Sequence, residues 1–259
     1  RAIDNLMISV HMVNWFSTYR VHHRVADHFR QGHAFLVGDA GHIHSPAGGQ
    51  GMNTGIGDAI NLAWKLAAVI QGQAPEGLLD SYEAERLPFA RRLVETTDRA
   101  FSFLTADGPV AEIVRTGIVP RLMPLIGKLP VAREYLFRTI SQTVLHYRHA
   151  PLNSGHAGKV HGGDRLPWVR YPSGDNFAPL PKPGWQVHVY GSARPDLIAW
   201  CALHGIALRV FDWQAECAAA GLAHDAVYLL RPDSYVGLAA GTPSTDVLDS
   251  YMRANALRL

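Results

Sequence analysis

One segment constrains the fold of this chain more than any other, the run GDAGHIHSPAGGQGMNTGIGDAINLAWKL at residues 38–66. It joins an acidic residue and a glycine-rich loop to a helix-forming stretch. The four apolar residues before it, at positions 34–37, predict a strand that is covered on both faces, as in a parallel α/β sheet. Ligands of open α/β sheets bind beyond the carboxyl ends of the strands, so we expect Asp39 to face a ligand.

The loop and helix that follow Asp39 suit a flat ligand that gains negative charge. Gly48, Gly49 and Gly51 let backbone amides come closer to a ring than any side chain would allow. A helix that begins near Asn53 and stops at Gly72 is predicted by apolar residues at helical spacing, namely Ile56, Ala59, Ile60, Ala63, Ala67 and Ile70. Its free N–H groups and positive dipole end would point at whatever the loop holds.

Two phosphate-binding motifs fit this loop less well. Gly49, Gly51 and Gly55 form a GxGxxxG run, but about ten residues separate it from the strand, whereas the dinucleotide fingerprint opens the helix directly after its strand. A P-loop is also excluded, because no GK[ST] follows the glycines.

The histidines and the serine of the loop raise two further hypotheses. His42 and His44 could bind a metal, but a metal site needs a full ligand set, and neither a Cys pair nor HExxH accompanies them. A structural or surface role is therefore favoured. A hydrolase site at Ser45 with His42 and Asp39 would need a GxSxG elbow, which the sequence lacks.

The order of these motifs resembles the flavin-dependent aromatic hydroxylases, the phenol hydroxylase-like branch of the class A flavoprotein monooxygenases. In that family a strand ends in Gly-Asp, a loop with His and Pro follows, and then come GGQGMN and a helix of the type DAxNLAWKL. The matching residues here are Gly38, Asp39, His42, Pro46, Gly48 to Asn53, Asp58 and Asn61 to Leu66. Similar to the family's flanking segments are Tyr19 to Val21, Arg24 to Ala26 and the YxxERxP-like run Ser81 to Pro88. This chain departs from the common pattern at Gly41, where a second Ala is frequent.

The resemblance implies FAD as the cofactor, NAD(P)H as the co-substrate, and molecular oxygen and a small phenol-like aromatic compound as substrates. It implies that Asp39 binds the ribityl or ribose hydroxyls of FAD. The residues implied to lie against the pyrimidine ring of the flavin, largely through backbone groups, are Gly49, Gln50, Gly51, Met52 and Asn53. Pro46 would border the flavin near its reacting face. Because the flavin carries the reaction, no catalytic side chain is assigned, and no metal is expected.

The rest of the first 150 residues reads as a mixture of strands and helices. Alternation at residues 6–13 and an extended stretch at 15–25 predict strands, whose Trp15, Phe16 and Tyr19 fit a substrate pocket or a core equally well. Residues 78–105 predict two helical stretches joined near Pro88. Short helices or a connector are expected over 107–131, and another helix from 131 to about 147.

The composition changes after Ala150, which predicts a boundary between residues 1–150 and 151–259. Prolines and glycines up to Gly184 indicate a loop-rich connection. Beyond it we predict a small α/β domain with a mixed sheet, whose elements are strands at 186–190, 207–211, 226–230 and 235–238 and helices at 196–204, 214–220 and 244–257. This part resembles the thioredoxin-like domain of the same family, with Gly163 to Pro167 as its entry and Leu230 to Asp233 as its last hairpin. It lacks the CxxC of disulfide exchange, which implies a structural or assembly role.

The fold class predicted for the whole chain is therefore α/β, the C-terminal portion of a FAD-binding monooxygenase domain with a helical connector, followed by a thioredoxin-like domain. The family's motif for the FAD diphosphate and its middle DG segment are not found in the sequence, so we expect the chain to be part of a longer enzyme. The rival hypothesis is a catalytically silent remnant or an interaction module with an assembly domain. A flavoprotein that performs epoxidation or dehydrogenation is a third alternative.

Composition excludes several classes of function. The formal net charge is +2 with no run of like charges, which gives no electrostatic basis for binding nucleic acid or an anionic membrane. No apolar stretch approaches the length of a membrane span, and no signal peptide opens the chain. Two cysteines fifteen residues apart fit an intracellular protein with reduced thiols, so we expect a cytoplasmic protein, with a homodimer as a possible assembly.

Overall fold

The structure of the chain is a computed structural model that describes residues 11–15, 17–18, 22–44, 51–106, 108–141, 143–182, 184–242 and 244–258. The helices are α1 (Gly51–Ile70), α2 (Asp80–Thr105), α3 (Pro109–Ile113), α4 (Val119–Ile126), α5 (Pro130–Ile140), α6 (Pro195–Leu203), α7 (Ala215–Ala219) and α8 (Thr245–Ala254). Single turns of other helix types are 3-10 turns at Gly38–Ala40 and Glu76–Leu79 and a π turn at Val114–Ile118. None of the helices in the described parts of the chain is long and apolar enough to cross a membrane.

The strands fall into one large sheet and three two-stranded pieces. In chain order they are β1 (Arg24–Val25), β2 (Arg30–Gln31), β3 (Ala34–Phe35), β4 (His42–Ile43), β5 (Ser154–Ala157), β6 (Val160–His161), β7 (Arg170–Tyr171), β8 (Gly174–Asp175), β9 (Gln186–Tyr190), β10 (Ala207–Phe211), β11 (Val227–Leu230) and β12 (Val236–Ala240). The large sheet has the order β10-β9-β11-β12-β5-β6, and the small ones pair β1 with β4, β2 with β3 and β7 with β8.

The strand expected before Asp39 is not the buried parallel strand that the apolar run predicts. Within this run only Ala34–Phe35 is paired as a strand, and it runs antiparallel to Arg30–Gln31. Gly32 has a φ of +59°, so the chain turns back on itself and β3 takes its immediate neighbour in sequence as its partner. Ala34 is exposed, because this hairpin is covered on one side only.

The predicted strand at 6–13 lies mostly outside the described residues, and residues 11–13 have no regular structure. Among the described residues of the second extended stretch, Arg24–Val25 is a strand, and it pairs with His42–Ile43. Trp15 is 81% exposed, so it does not belong to a core, while Phe16 and Tyr19 lie outside the described residues.

Helix α1 is confirmed, but its orientation is opposite to the one that its apolar stripe predicts. It begins at Gly51, two residues before the predicted start. Ile56 and Ile60 are about half exposed, at 49% and 52%. The buried face carries polar groups instead, and its members are Thr54, Asp58, Asn61, Leu62, Lys65 and Ala68. Polar contacts with α2 and with the C-terminal part of the chain therefore set how this helix sits.

Helix α2 runs through Pro88 without the predicted break. A proline in a helix interior removes one backbone hydrogen bond and costs about 3 kcal/mol. The turn before Pro88 carries Glu85 and Arg86, whose buried side chains are fixed by ion pairs on both sides of the helix. These contacts hold the helix together across the proline.

The helical connector is confirmed as a set of short helices, α3, the π turn and α4, followed by α5. Helix α5 ends at Ile140, seven residues earlier than predicted. The chain must leave the helix there, because the backbone of Tyr147 pairs with that of Gly163, at 2.7 Å.

The C-terminal sheet follows the prediction closely. Strands β9 and β10 have the predicted bounds and pair in parallel, while β11 runs antiparallel to β9 and to β12. The stretch predicted to be loop-rich also contributes strands. β5 pairs with β12, β6 pairs with β5 at the sheet edge, and β7 and β8 form a separate hairpin.

Each face of this sheet packs on its own core, as the alternation of side chains along a strand requires. On β11, Val227 and Leu229 lie in one core and Tyr228 and Leu230 in the other. The first of these cores also contains Ala68 of α1. The end of α1 is thus anchored in the C-terminal core, which leaves its first turns facing the Asp39 segment.

Candidate functional site

Asp39 lies in the 3-10 turn Gly38–Ala40, and its side chain is exposed. It makes no hydrogen bond or ion pair with the described residues. A free, ionised carboxylate accepts hydrogen bonds with both oxygens, which suits neighbouring hydroxyl groups of a ligand.

The other residues assigned from the sequence divide into two groups. Pro46, Gly49 and Gln50 lie outside the described residues. The remaining residues, Gly51, Met52 and Asn53, form the first turn of α1, where Met52 is 75% exposed. The backbone N–H groups of a first helical turn have no partner within the helix and can bind a ligand that is rich in oxygen or gains negative charge.

The Asp39 turn and the start of α1 approach each other through two glycines. A Cβ atom on Gly55 would lie 3.4 Å from the Cα of Gly38, and Gly38 has a φ of +59°. Glycine is suited to both positions, because one requires a close backbone contact and the other a left-handed conformation. The structure therefore brings Asp39 and the first turn of α1 to one place.

Asp58 of α1 connects the helix to the Asp39 turn. Its Oδ2 accepts from the backbone N–H of Gly38 at 3.0 Å and lies 2.7 Å from Nε2 of His42, which donates because an ionised carboxylate only accepts. Its Oδ1 accepts from Nε of Arg86 at 2.6 Å. Burial raises the pKa of Asp58, but the bonds from His42 and Arg86 outweigh that effect and hold the pKa below its usual value.

Arg86 is itself buried, with 1% of its side chain exposed. Besides Asp58 it donates to Tyr147 Oη at 2.7 Å and to the backbone carbonyl of Thr54 at 3.2 Å. Burial alone would lower the pKa of the guanidinium, but Tyr147 and Asp58 raise the pKa above its usual value, so Arg86 stays positively charged.

A second ionic cluster lies one residue earlier on α2. Glu85 is fully buried and accepts from Lys65 Nζ at 2.8 Å and from Asn61 Nδ2 at 2.7 Å, both on α1. It also accepts two bonds from Arg231, at 2.5 and 2.9 Å. Desolvation lowers the pKa of Lys65 to about 8, although Glu85 acts in the opposite direction.

Arg231 closes the cluster from the C-terminal sheet. It also donates to both oxygens of Asp233, and the rings of Trp64, Tyr147 and Tyr235 lie within 6 Å of its guanidinium carbon. Together with the cluster around Asp58, this gives a buried polar network that we call the ionic network, with members His42, Asp58, Asn61, Lys65, Glu85, Arg86, Tyr147, Arg231 and Asp233. The network joins the Asp39 turn, both long helices and the C-terminal sheet.

The roles within the ionic network were not predicted from the sequence, although several of its members belong to the quoted motifs. The signal was present as polar residues at positions 58, 61 and 65, which share one face of α1 opposite to the apolar stripe. A charged face is usually read as solvated, and only the positions of the partners on other elements show that it is buried.

His42 takes part in the cluster around Asp58. Nε2 of His42 is occupied by Asp58, while its buried Nδ1 has no hydrogen-bond partner among the described residues. No group of three potential ligands for a metal ion occurs within the described ranges. The two cysteines, Cys201 and Cys217, are buried and free.

Comparisons with known proteins show what the chain as a whole is similar to. Residues 1–97 match the model of the FAD-binding domain family. A flavin-dependent monooxygenase of Mycobacteroides abscessus is 50% identical over 229 residues, which are 87% of this chain and 41% of that protein. A 6-methylpretetramide 4-monooxygenase of Streptomyces rimosus is 41% identical over 162 residues, 60% of this chain and 28% of that protein. The solved structure of the anhydrotetracycline hydroxylase OxyS from Streptomyces rimosus matches with a TM-score of 0.66 at 31% identity, over 90% of this chain and 46% of that one.

These matches define first a class, because residues 1–97 match a family of FAD-binding domains. They then show that the chain is similar to named flavin-dependent monooxygenases, in agreement with the resemblance given by the order of its motifs. FAD is the cofactor of this family. The chain spans less than half the length of each relative described above.

Proposed function

We propose that this chain is the flavin-ring and ribityl side of the active site of a monooxygenase that hydroxylates a small, phenol-like aromatic compound. The observation that carries the proposal is the meeting of a free Asp39 carboxylate with the first turn of α1, in a chain that matches the FAD-binding family. Its relatives include a monooxygenase and a hydroxylase by name, which supports the reaction type.

The described residues fit one half of FAD. Asp39 would accept hydrogen bonds from the ribityl or ribose hydroxyls, and the backbone N–H groups from Gly51 to Asn53 would face the pyrimidine edge of the flavin. The exposure of Met52 and Asn53 leaves room for this contact. Gly49 and Gln50 would continue the same surface, and Pro46 would border the reacting face.

When bound, FAD supplies the redox chemistry, taking electrons from NAD(P)H and activating molecular oxygen so that one oxygen atom enters the ring and the other leaves as water. The protein's part is to bind, to orient and to exclude water. The positive end of the α1 dipole would stabilise negative charge that develops on the pyrimidine edge, which favours the reduced state.

We also propose a thioredoxin-like fold for residues 151–259. The order β10-β9-β11-β12, with β9 and β10 parallel and the other pairs antiparallel, supports it, as does the succession of α6, α7 and α8. We propose further that the protein resides in the cytoplasm and forms a homodimer; the two free cysteines support the reducing location.

The proposal is tested by the visible absorption spectrum of the purified protein with added FAD, and by oxidation of NAD(P)H in the presence of phenols. For the complete protein we expect a bound flavin spectrum and NAD(P)H oxidation that depends on the phenol. For residues 1–259 alone we expect weak binding, because the sequence offers no site for the diphosphate. A complete protein that stays colourless and inert would instead support the rival hypothesis of a silent remnant or interaction module.

A further inference from the structure

The Glu85-Arg86 pair on α2 belongs to a recognised sequence motif but has no part in the function proposed above. The two neighbouring side chains leave the helix towards different partners. Glu85 binds Arg231 of the C-terminal sheet, and Arg86 binds Asp58 of α1. The pair therefore stands between the C-terminal sheet and the proposed flavin site.

Arg86 holds both segments of that site at once. Its contact with the Thr54 carbonyl lies in the first turn of α1, directly after Gly51 to Asn53. Its contact with Asp58 is shared with the backbone N–H of Gly38, the residue before Asp39. One guanidinium thus sets the distance between the carboxylate and the helix terminus that would contact the flavin.

The geometry of these contacts requires an arginine. Nε, Nη1 and Nη2 of Arg86 each donate to a different acceptor. A lysine carries all of its N–H donors on one nitrogen, so it cannot replace three bonds from three separate nitrogens. The backbone leaves space for the fork, because a Cβ atom on Gly57 would lie 3.3 Å from Nη2 of Arg86. The ring of Phe89 covers its carbon atom at 4.6 Å.

Because Arg86 is buried, we expect it to contribute by fixing the positions of other groups and to add little stability. A buried ion pair adds little net stability compared with apolar packing of the same volume, because both ions lose their hydration. The side chains of Arg86 and Asp58 are both almost fully buried, so both ions have lost their hydration. What the arrangement supplies is a fixed direction for the Gly38 N–H and for the first turn of α1.

We propose that Arg86 is a positioning residue for the flavin, which fixes the Asp39 turn against the first turn of α1 through Asp58 and Thr54. The inference rests on the proposed function. Glu85 holds α2, and with it Arg86, in register by its bonds to Arg231 and Lys65.

The test compares Arg86→Lys with Arg92→Lys in the complete protein. Arg92 is exposed on the same helix and serves as the matched control. FAD dissociation constants are measured by quenching of flavin fluorescence, flavin absorption spectra are recorded, and urea unfolding shows whether each variant is folded. We expect Arg86→Lys to weaken FAD binding about 10- to 100-fold, by analogy with the loss of residues that orient the ligands of a metal site. The flavin spectrum should shift as well, while Arg92→Lys leaves both unchanged.

If Arg86→Lys does not fold, Asp58→Asn tests the same contact. This variant keeps a hydrogen-bond acceptor for the N–H of Gly38 but removes the negative charge that Arg86 binds. The double variant should bind FAD about as weakly as the weaker single variant, since both act through one contact. If the folded variants bind FAD within twofold of the wild type and show its flavin spectrum, the positioning role is overturned and the proposed function stands. If the wild type itself binds no FAD, both are overturned.

Discussion

Replacing Glu85 with Gln is the sharpest test of the ionic network. Glu85 is fully buried and accepts five hydrogen bonds, from Asn61, Lys65, Asn153 and twice from Arg231. Gln offers one oxygen in place of two, turns an N–H donor towards other donors, and leaves two buried cations with less negative charge. Breaking a buried ion pair in this way costs about 3–5 kcal/mol.

That loss is large compared with the about 5–15 kcal/mol by which a folded protein is usually stable. For a chain of this size it corresponds to a fall in Tm of about 6–20 °C, at about 2–4 °C for each kcal/mol. Asp196→Asn is the control, because the Arg194–Asp196 pair is exposed and solvent screens the attraction between its charges.

The assay is urea unfolding followed by circular dichroism and tryptophan fluorescence, with the free energy of unfolding compared at a common m-value. Arg231→Met and the double variant complete a cycle, in which the second substitution should cost much less than the first because its charged partner is already gone. A loss for Glu85→Gln no larger than that for Asp196→Asn would refute the view that these ion pairs hold the two parts of the chain together.

Three further outcomes are expected. His188 is fully buried, and desolvation lowers its pKa to about 3, so below about pH 6.5 the unfolded chain binds a proton at this residue and the folded chain does not. The free energy of unfolding should therefore fall by about 2 kcal/mol from pH 6.5 to pH 5. In urea titrations at both pH values, His188→Phe should lose this part of the pH dependence. Gly38→Ala should lower the free energy of unfolding by about 1–2 kcal/mol, because Gly38 has a φ of +59°. Gly77→Ala should lower it little, because Gly77 has open space around it and no positive φ. Equal losses for the two variants would contradict the argument from conformation. Burial raises the pKa of the Cys201 thiol to about 11, so a thiol reagent at pH 8 should label it only as fast as the chain unfolds, and rapid labelling of the folded chain would be inconsistent with the structure.

The parts of the fold that the sequence predicts well are those in which local pattern and burial agree. Strands β9 and β10 have the predicted bounds, because each is a short, largely apolar run between turn residues. β9 lies inside the sheet and is fully buried, and β10 is the half-buried strand at its edge. Helix α1 was predicted in position but not in orientation. Its buried face is polar, and the partners that satisfy it, such as Glu85 and Arg231, are distant in sequence.

Part of the candidate site could also be predicted from a local pattern. Asp39 and Gly51 to Asn53 follow from the order of motifs in one contiguous segment. The ionic network did not follow, since Arg231 lies 146 residues from Glu85 and no local pattern joins them. The prediction of a buried parallel strand before Asp39 was wrong, because the left-handed Gly32 turns the chain and gives β3 a hairpin partner two residues away. An apolar run does not indicate such a turn.

The central claim is that Asp39 and the first turn of α1 bind the ribityl and pyrimidine half of FAD. Its most direct test is the FAD dissociation constant of the complete protein with Asp39→Ala, beside Asp196→Ala as an exposed control. Hydrogen bonds to a charged group are worth about 1.5–3 kcal/mol, so the loss of even one predicts binding that is about 10- to 150-fold weaker. Unchanged affinity in a folded Asp39→Ala protein would contradict the account.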